Sequence, residues 1–401
     1  MAIIVQKFGG SSVADAAKVN NVANRVVDTY RDGNSVVVVV SAQGDTTDDL
    51  IEKAHEINDS PSKREMDMLL SSGEQISIAL LAMAIEKLGA PVISLTGWQA
   101  GFVTNSNAGN ARIKKIETER IMSELDKKRI VIVAGFQGLD KYDDITTLGR
   151  GGSDTSAVAI AAAIHADKCE IYTDVDGVYT ADPRIVPTAK KLDAITYDEM
   201  LDLASLGANV LHNRSVEMAK KYGVKLEVKS SFEKIDGTIV KEAVSVEKML
   251  IRGVARDNDV ARIALVGLED KPGIAFKVFS LLAKNSINVD VILQSIGREG
   301  KKDISFTVTK SHMQEAIDLL EAEKDTLCYE EITHREDISK VSIVGAGMVN
   351  NPGVAAKMFE ALYDAGINIH MISTSETKIS VLINVNNAEK AVQAIHDKFL
   401  V

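Results

Sequence analysis

Residues 147–156 read TLGRGGSDTS, which sets a fixed cation (Arg150), two glycines (Gly151, Gly152), a hydroxyl (Ser153) and an anion (Asp154) side by side. The stretch lies between a strand-like apolar run, 130–135, and a smooth apolar run, 157–166, whose composition predicts a helix. Glycines at a helix entry let backbone N–H groups approach an anion, and the helix dipole favours negative charge there. A plain turn with a Ser or Asp N-cap would use the same residues. Arg150 favours the ligand reading: a planar guanidinium inside a glycine turn, beside Asp154, suits a carboxylate or phosphate better than a cap. Strand, turn and helix alternate in this way from residue 2 to about 231, which predicts a doubly wound, mostly parallel α/β sheet.

Working outward, residues 2–5 form an apolar run that enters Gln6-Lys7-Phe8-Gly9-Gly10-Ser11-Ser12 and then a helix-like stretch, 14–30. Gly9 and Gly10 free N–H groups for a phosphate, and Lys7 can reach the same charge. The lysine precedes the glycines, so this is not a Walker A loop. Five valines, 36–40, predict a buried central strand. It opens into Ser41 and Thr47, hydroxyls placed where open α/β sheets bind ligands, or where a helix N-cap would sit. A polar helix over 60–72 is expected to give way to a second helix opened by Ser72-Gly73-Glu74, with an apolar face of Ile76, Leu80, Met83 and Leu88. Glu74 in a first turn complements the dipole, and a carboxylate there can also receive an ammonium. Residues 91–95 and 130–134 read as further buried strands, with a Gly/Asn-rich loop or hairpin, 97–110, between them. A strand at 169–172 leads into an acceptor-rich loop with Thr173, Asp174, Tyr179, Asp182 and Arg184. That loop could hold a ribose or base, with Arg184 near a phosphate, or simply form Asp-Gly and Asp-Pro turns.

The 401-residue chain is 45% apolar but only 4% aromatic, which suits helices on a parallel sheet more than an aromatic-rich sandwich. Its net charge of −11 argues against non-specific binding to nucleic acid or anionic membrane. Cys169 and Cys328 match no zinc or redox spacing and read as free thiols of a cytosolic protein. The first apolar run is too short for a signal peptide and the longest, near 158–166, too short for a bilayer, so a cytoplasmic location is expected.

From about residue 246 the pattern changes. Pro272-Gly273 recurs as Pro352-Gly353, an offset of 80 residues that also aligns Lys277 with Lys357, Phe279 with Phe359, Asn288 with Asn368 and Ser295 with Ser375. This is an internal duplication of a β-α-β-β-α pattern, the first copy carrying extra residues within 297–302. Copy one is expected to close with a strand at about 327–333. Copy two ends in a helix, 388–398, without a fourth strand, whereas an unassigned strand, 249–255, precedes copy one. The expectation is that this strand completes the second copy's sheet. The two repeat units would then be about 261–335, inserted in a second of about 249–256 plus 338–401, after a first domain of 1–245.

Together these motifs resemble the aspartate kinase family: an amino-acid kinase domain followed by two ferredoxin-like (βαββαβ) ACT domains. KFGGSSV at 7–13, Ser41 with Thr47, Ser-Gly-Glu at 72–74, TTLGRGGSD at 146–154 and TDVDGVYTADPR at 173–184 occur in the family's order. The resemblance covers essentially the full length. It departs at GANVLHN, 207–213, where Asn209 replaces the family's usual nucleotide-binding lysine, leaving Lys229, Arg184 or Arg214 as substitute cations.

The resemblance implies transfer of the γ-phosphoryl of MgATP to the β-carboxylate of L-aspartate, the first step towards lysine, threonine and methionine. It implies feedback by lysine, threonine or both. Lys7 would neutralise the phosphoryl, oriented by Asp154, with Phe8, Gly9 and Gly10 at the phosphates. Arg150 would clamp the substrate α-carboxylate beside Gly151, Gly152 and Ser153. Glu74 would take the ammonium, and Ser41 and Thr47 would line the pocket. Thr173, Asp174, Tyr179, Asp182, Arg184 and Asn209 would hold the nucleotide. Magnesium would be bridged by phosphates and water, with no protein cage. Effector sites would lie at Asp270, Gly273, Ile274, Ala275, Asn288, Val289, Asp290 and Gln294, and at Val354, Asn368, Ser375 and Glu376. A homodimer is expected, or an α2β2 assembly whose small subunit starts near Met249. Two alternatives stay open: another acid kinase of the superfamily, acting on glutamate or N-acetylglutamate, and a non-catalytic amino-acid sensor.

Overall fold

The computed structural model describes residues 2–206, 210–242, 251–297, 299–345, 348 and 351–400. Among these, one compact unit holds 2–179, 190–205 and 210–242, and a second holds 180–189, 206 and 251–400.

In the first unit the chain runs β1 (Ile3–Phe8), α1 (Ala16–Arg31), β2 (Ser35–Val40), α2 (Thr46–Ile57), α3 (Lys63–Lys87), β3 (Val92–Leu95), β4 (Phe102–Thr104), β5 (Ile113–Ile116), α4 (Glu119–Asp126), β6 (Ile130–Ala134), β7 (Gln137–Leu139), β8 (Ile145–Thr147), α5 (Gly152–Ala163), β9 (Lys168–Thr173), β10 (Ala194–Thr196), α6 (Tyr197–Ser205), α7 (Asn213–Tyr222), β11 (Leu226–Ser230) and β12 (Thr238–Lys241). The main sheet has the order β10-β12-β11-β9-β1-β2-β6-β3, and only the β11–β12 pair is antiparallel. Val36–Val40 are wholly buried, as a central parallel strand covered on both faces requires. β1, beside β2 and β9, brings its carboxyl end next to theirs, the position where open sheets take ligands. A smaller sheet, β5-β4-β7-β8, is built from the 97–116 segment and a hairpin that follows β6.

Two sequence expectations change here. The helix after the Arg150 turn begins at Gly152 rather than near 157, so Ser153 and Asp154 lie in its first turn; Thr147 belongs to β8. α3 is one continuous helix of 25 residues, so Glu74 sits at its middle and not at an N-terminus. Most of its expected apolar face is outside: Ile76, Leu80 and Met83 are exposed and only Leu88 packs on the core, while Asp67, Ser71, Glu74, Ile78, Leu81 and Ile85 are buried. By length and composition α3 could cross a membrane. Its buried face instead packs on the sheet core through Ile78, Leu81 and Ile85.

The second unit contains β13 (Gly253–Asp257), β14 (Ala261–Glu269), α8 (Ile274–Lys284), β15 (Ile292–Gln294), β16 (Lys301–Val308), α9 (Lys310–Ala322), α10 (Lys324–Leu327), β17 (Glu331–Arg335), β18 (Ile338–Val344), α11 (Val354–Asp364), β19 (Met371–Thr374), β20 (Lys378–Asn384) and α12 (Ala388–Leu400). Its two antiparallel sheets have the orders β15-β16-β14-β17 and β13-β18-β20-β19. The duplication is visible in the backbone: Gly273 and Gly353 cap α8 and α11 with φ of 94° and 97°, a left-handed geometry that favours glycine. Copy one's last strand starts at Glu331, because the buried Leu327 instead ends a short helical turn, Lys324–Leu327. Residues 180–189 also belong to this unit. Ala181 and Val186 pack into the core of the second copy, Val254 N–H donates to Thr180 O at 2.8 Å, and Thr180 Oγ1 lies 2.9 Å from His396 Nε2 on α12.

Candidate active site

The loops at the ends of β1 and β2 interlock through Gly10. A Cβ on Gly10 would lie 2.6 Å from Ala42 O, and Gly44 N–H donates to Gly10 O at 3.0 Å. Lys7, the last residue but one of β1, places its ammonium 2.6 Å from Asp154 Oδ1 in the first turn of α5. Each side chain of that pair is only 12% exposed. α5 can come this close because Gly135 follows β6: a Cβ there would meet Ser153 Oγ at 2.7 Å. The helix's residues from Gly152 to Ala161 are then buried on every side.

α3 supplies a buried carboxylate to the same loops. Glu74 is 3% exposed, and its Oε1 accepts the Ala42 N–H at 3.1 Å. Its Oε2 has no hydrogen-bond partner among the described residues. Burial pushes its pKa up to about 7, partly opposed by the Ala42 N–H. Gly73 makes the approach possible, since a Cβ there would lie 2.8 Å from Ala42 Cβ. Ser41 and Thr47 are half-buried on the same loop and the first turn of α2.

Arg150 is exposed, and its side chain makes no hydrogen bond or ion pair among the described residues. Its turn is tightly framed. Gly151 is left-handed (φ 67°), and a Cβ on it would be 2.1 Å from His212 Cγ. His212 caps α7 through Nδ1, and burial lowers its pKa. Two further residues hold this frame: Asp67, which the sequence did not single out, and Arg214, which it offered only as a substitute cation. Asp67 accepts hydrogen bonds from Thr147 Oγ1, Thr147 N–H and Gly109 N–H, and Arg214 donates to the Leu148 and Ala111 carbonyls. All but one of these partners, the Thr147 hydroxyl, are backbone groups, which leave no residue-type signature.

The loop after β9 is anchored beside the glycines. Ser231 Oγ donates to Thr173 O at 2.6 Å and lies 2.6 Å from Ser12 Oγ, a tie that no motif announced. Thr173 Oγ1 donates to the exposed Asp174 at 2.9 Å, and Tyr179 OH donates to Asp176 at 2.8 Å. Phe8 is fully buried and stacks on Tyr172 at 4.5 Å, so only its backbone faces the loop. Asp182 and Arg184 lie in the second unit and pair with one another at 2.7 Å. Asn209 and Met249 fall outside the described residues. Of the substitute cations, Lys229 lies 3.5 Å from Glu170, and Arg214 is committed to the carbonyls above.

In the second unit Asp270 pairs with Lys302 at 2.9 Å, and Asp290 pairs with Lys340, which is itself 3.4 Å from Asp257. Ile274 and Val354 point into the two cores, and Ala275 and Val289 pack partly against the first. Asn288, Gln294, Asn368, Ser375 and Glu376 are exposed.

The amino acid kinase family matches residues 2–230, and the ACT domain matches 263–323 and 341–399. An aspartokinase of Bacillus sp. (strain MGA3) is 52% identical over 400 residues, covering all of this chain and 97% of that protein. Among solved structures, E. coli aspartokinase III in complex with aspartate and ADP (R-state) has a TM-score of 0.86 at 26% identity, with all of both chains covered. The same enzyme with lysine and aspartate (T-state) has a TM-score of 0.76 at 26% identity, again covering both chains entirely. A lysine–aspartate pair at the mouth of two glycine loops, a domain architecture of kinase sheet plus duplicated ACT fold, and half of all residues shared end to end place this chain in the amino acid kinase family, among its ACT-bearing aspartokinases.

Proposed function

We propose that the chain transfers the γ-phosphoryl of ATP to the β-carboxylate of L-aspartate, giving 4-phospho-L-aspartate and ADP, under feedback through its ACT domains. One observation carries the choice of substrate: Glu74 Oε2, buried and unpartnered among the described residues, on the same loops as the Lys7–Asp154 pair. That oxygen suits a free α-ammonium and gives an N-acetylated substrate nothing to bind. A glutamate substrate, one methylene longer, keeps the ammonium and is separated from aspartate by assay.

The β-carboxylate, with an ordinary pKa of about 3.9, is already ionised at neutral pH, so no general base is required. One of its oxygens attacks the γ-phosphorus as the bond to the ADP oxygen breaks. The barrier is repulsion between anions and charge on the transferring group, which positioned cations and N–H groups lower. Lys7 supplies the cation, held in place by Asp154, and Gly9 and Gly10 supply N–H groups. Arg150 takes the α-carboxylate as a fork, Glu74 the ammonium, with Ser41 and Thr47 lining the pocket; Gly151, Gly152 and Ser153 let the substrate approach α5. Thr173, Asp174 and Tyr179 serve the nucleotide. Among the described residues no three His, Cys, Asp or Glu side chains gather into a metal site. Magnesium would be bridged by the phosphates and water, where it would neutralise charge on the transferring group.

The E. coli enzyme's complex with lysine supports an amino acid as effector. The exposed edge strands β15 and β19, with Ile292, Leu293 and Ile372 at the surface, fit pairing with a second copy. Aspartyl hydroxamate formation with ATP and Mg²⁺, compared for aspartate, glutamate and N-acetylglutamate and repeated with lysine and threonine, tests the reading. Activity confined to N-acetylglutamate would overturn it. Arg150→Ala is expected to raise the aspartate KM with the ATP KM little changed; the reverse pattern would remove the clamp assignment.

A further inference from the structure

We propose that α3 is the spacer that sets the two substrate anchors relative to each other, and that Asp67 is the positioning residue tying the Arg150 turn to it. The inference rests on the functional reading above. Asp67, Ser71 and Glu74 follow one another at spacings of four and three residues, so they share one face of the helix, and all three are buried. Each reaches a different part of the site. Asp67 is fully buried and accepts three hydrogen bonds with two oxygens: Thr147 Oγ1 at 2.6 Å, Thr147 N–H at 2.9 Å and Gly109 N–H at 2.8 Å. Ser71 O accepts Gln137 Nε2 at 2.9 Å, on the β7 strand that pairs with β8. Glu74 accepts the Ala42 N–H at 3.1 Å.

The segment that Asp67 grips is itself closed. Ala111 N–H donates to Thr147 O at 2.8 Å, and Arg214 bridges the Leu148 and Ala111 carbonyls from the other side. An anion on α3 and a cation on α7 thus clamp the same two backbone segments, and Arg150 stands two residues beyond Leu148. A helix rises about 1.5 Å per residue, so Asp67 and Glu74 are held about 10 Å apart along one rod. The carboxylate and ammonium of an α-amino acid sit on a single carbon. An error in this spacing therefore penalises the amino acid and not the nucleotide.

Asp67→Asn in the full chain tests this. Asparagine keeps one acceptor oxygen and turns an NH₂ against an N–H donor, leaving buried donors unmatched. An unmatched buried group costs about 1–3 kcal/mol, so the aspartate KM is expected to rise about tenfold or more, with the ATP KM within about twofold and kcat falling less than KM rises. Thr147→Val removes only the hydroxyl donor and should raise the aspartate KM by about three- to fivefold, the double variant showing less than the product of the two. An aspartate KM unchanged in both variants, or an ATP KM rising in step with it, overturns the spacer role. If Asp67→Asn does not yield folded protein, Thr147→Val decides alone. Arg150→Ala and Glu74→Gln run alongside: if these leave the aspartate KM unchanged, the functional reading itself fails. If they raise it while Asp67→Asn and Thr147→Val do not, only the spacer role fails.

Discussion

Replacing Glu74 with glutamine, and following both proteins across pH, tests the ammonium site directly. Burial pushes the Glu74 carboxyl from its ordinary value of 4.5 up to about 7. On that value about a tenth of the molecules carry the carboxylate at pH 6 and about nine tenths at pH 8. An ammonium binds the ionised form, so kcat/KM for aspartate should fall about tenfold per unit below the pKa and level off above pH 8. The substrate-free fold shows the opposite sign. The native state holds this proton more tightly than the unfolded chain, so ionisation costs stability as pH rises from 4.5, and the full cost is present above 7. A shift of roughly 2.5 units corresponds to about 3 kcal/mol. Glu74→Gln mimics the neutral form. Without aspartate it should melt higher than the parent at pH 8 and alike at pH 5, while binding aspartate about 10- to 100-fold more weakly at pH 8. Hydroxamate formation at saturating ATP reads the first effect and thermal melts the second. A parental aspartate KM that stays flat between pH 6 and 8, or an unchanged pH profile in the glutamine variant, would refute the reasoning.

Lys7→Ala removes the cation beside the reacting phosphoryl and should lower kcat by about 10²–10³ while moving the aspartate KM much less; steady-state kinetics would count against the role if KM carried the loss. Gly73→Ala gains about 1 kcal/mol of helix propensity but drives a methyl to within 2.8 Å of Ala42 Cβ, an overpacking cost of about 1–3 kcal/mol. The expected result is a lower Tm together with a raised aspartate KM, because α3 and the β2 loop are forced apart. Ser231→Ala cuts the tie between Ser12 and Thr173 and should raise the ATP KM several-fold, about 1 kcal/mol, with the aspartate KM unmoved.

Within the main sheet β1, β2, β3 and β6 were legible because each is a short, mostly apolar run ending in polar or glycine residues, Val36–Val40 most plainly. The duplication was legible because Pro-Gly and Asn recur at one offset. α3 was misread for a physical reason. The first part of its buried face bears Asp67, Ser71, Gly73, Glu74 and Ser77, polar or small residues, before Ile78, Leu81 and Ile85 reach the core, while Ile76 and Met83 face outward. Periodicity reports hydrophobicity, and the Asp67–Glu74 part of this face is buried for hydrogen bonding. β7, β8 and β10, each three residues long, are too short to show alternation. Lys7 and Asp154 could be named from their motifs; their contact was expected from the family resemblance and not from the residue pattern, since β1 and α5 are far apart in the chain.

The membership of residues 180–189 in the second unit has a bearing on how the protein can be recombined. A hybrid made by exchanging everything after about residue 245 looks like a clean swap of regulator for regulator. It is not, because the donor's regulatory core arrives without its own Ala181 and Val186 and receives the recipient's instead. Thr180 of one parent must then also meet residue 396 of the other. Compatible hybrids need two crossover segments, with 180–189 inherited from the same parent as 251–400.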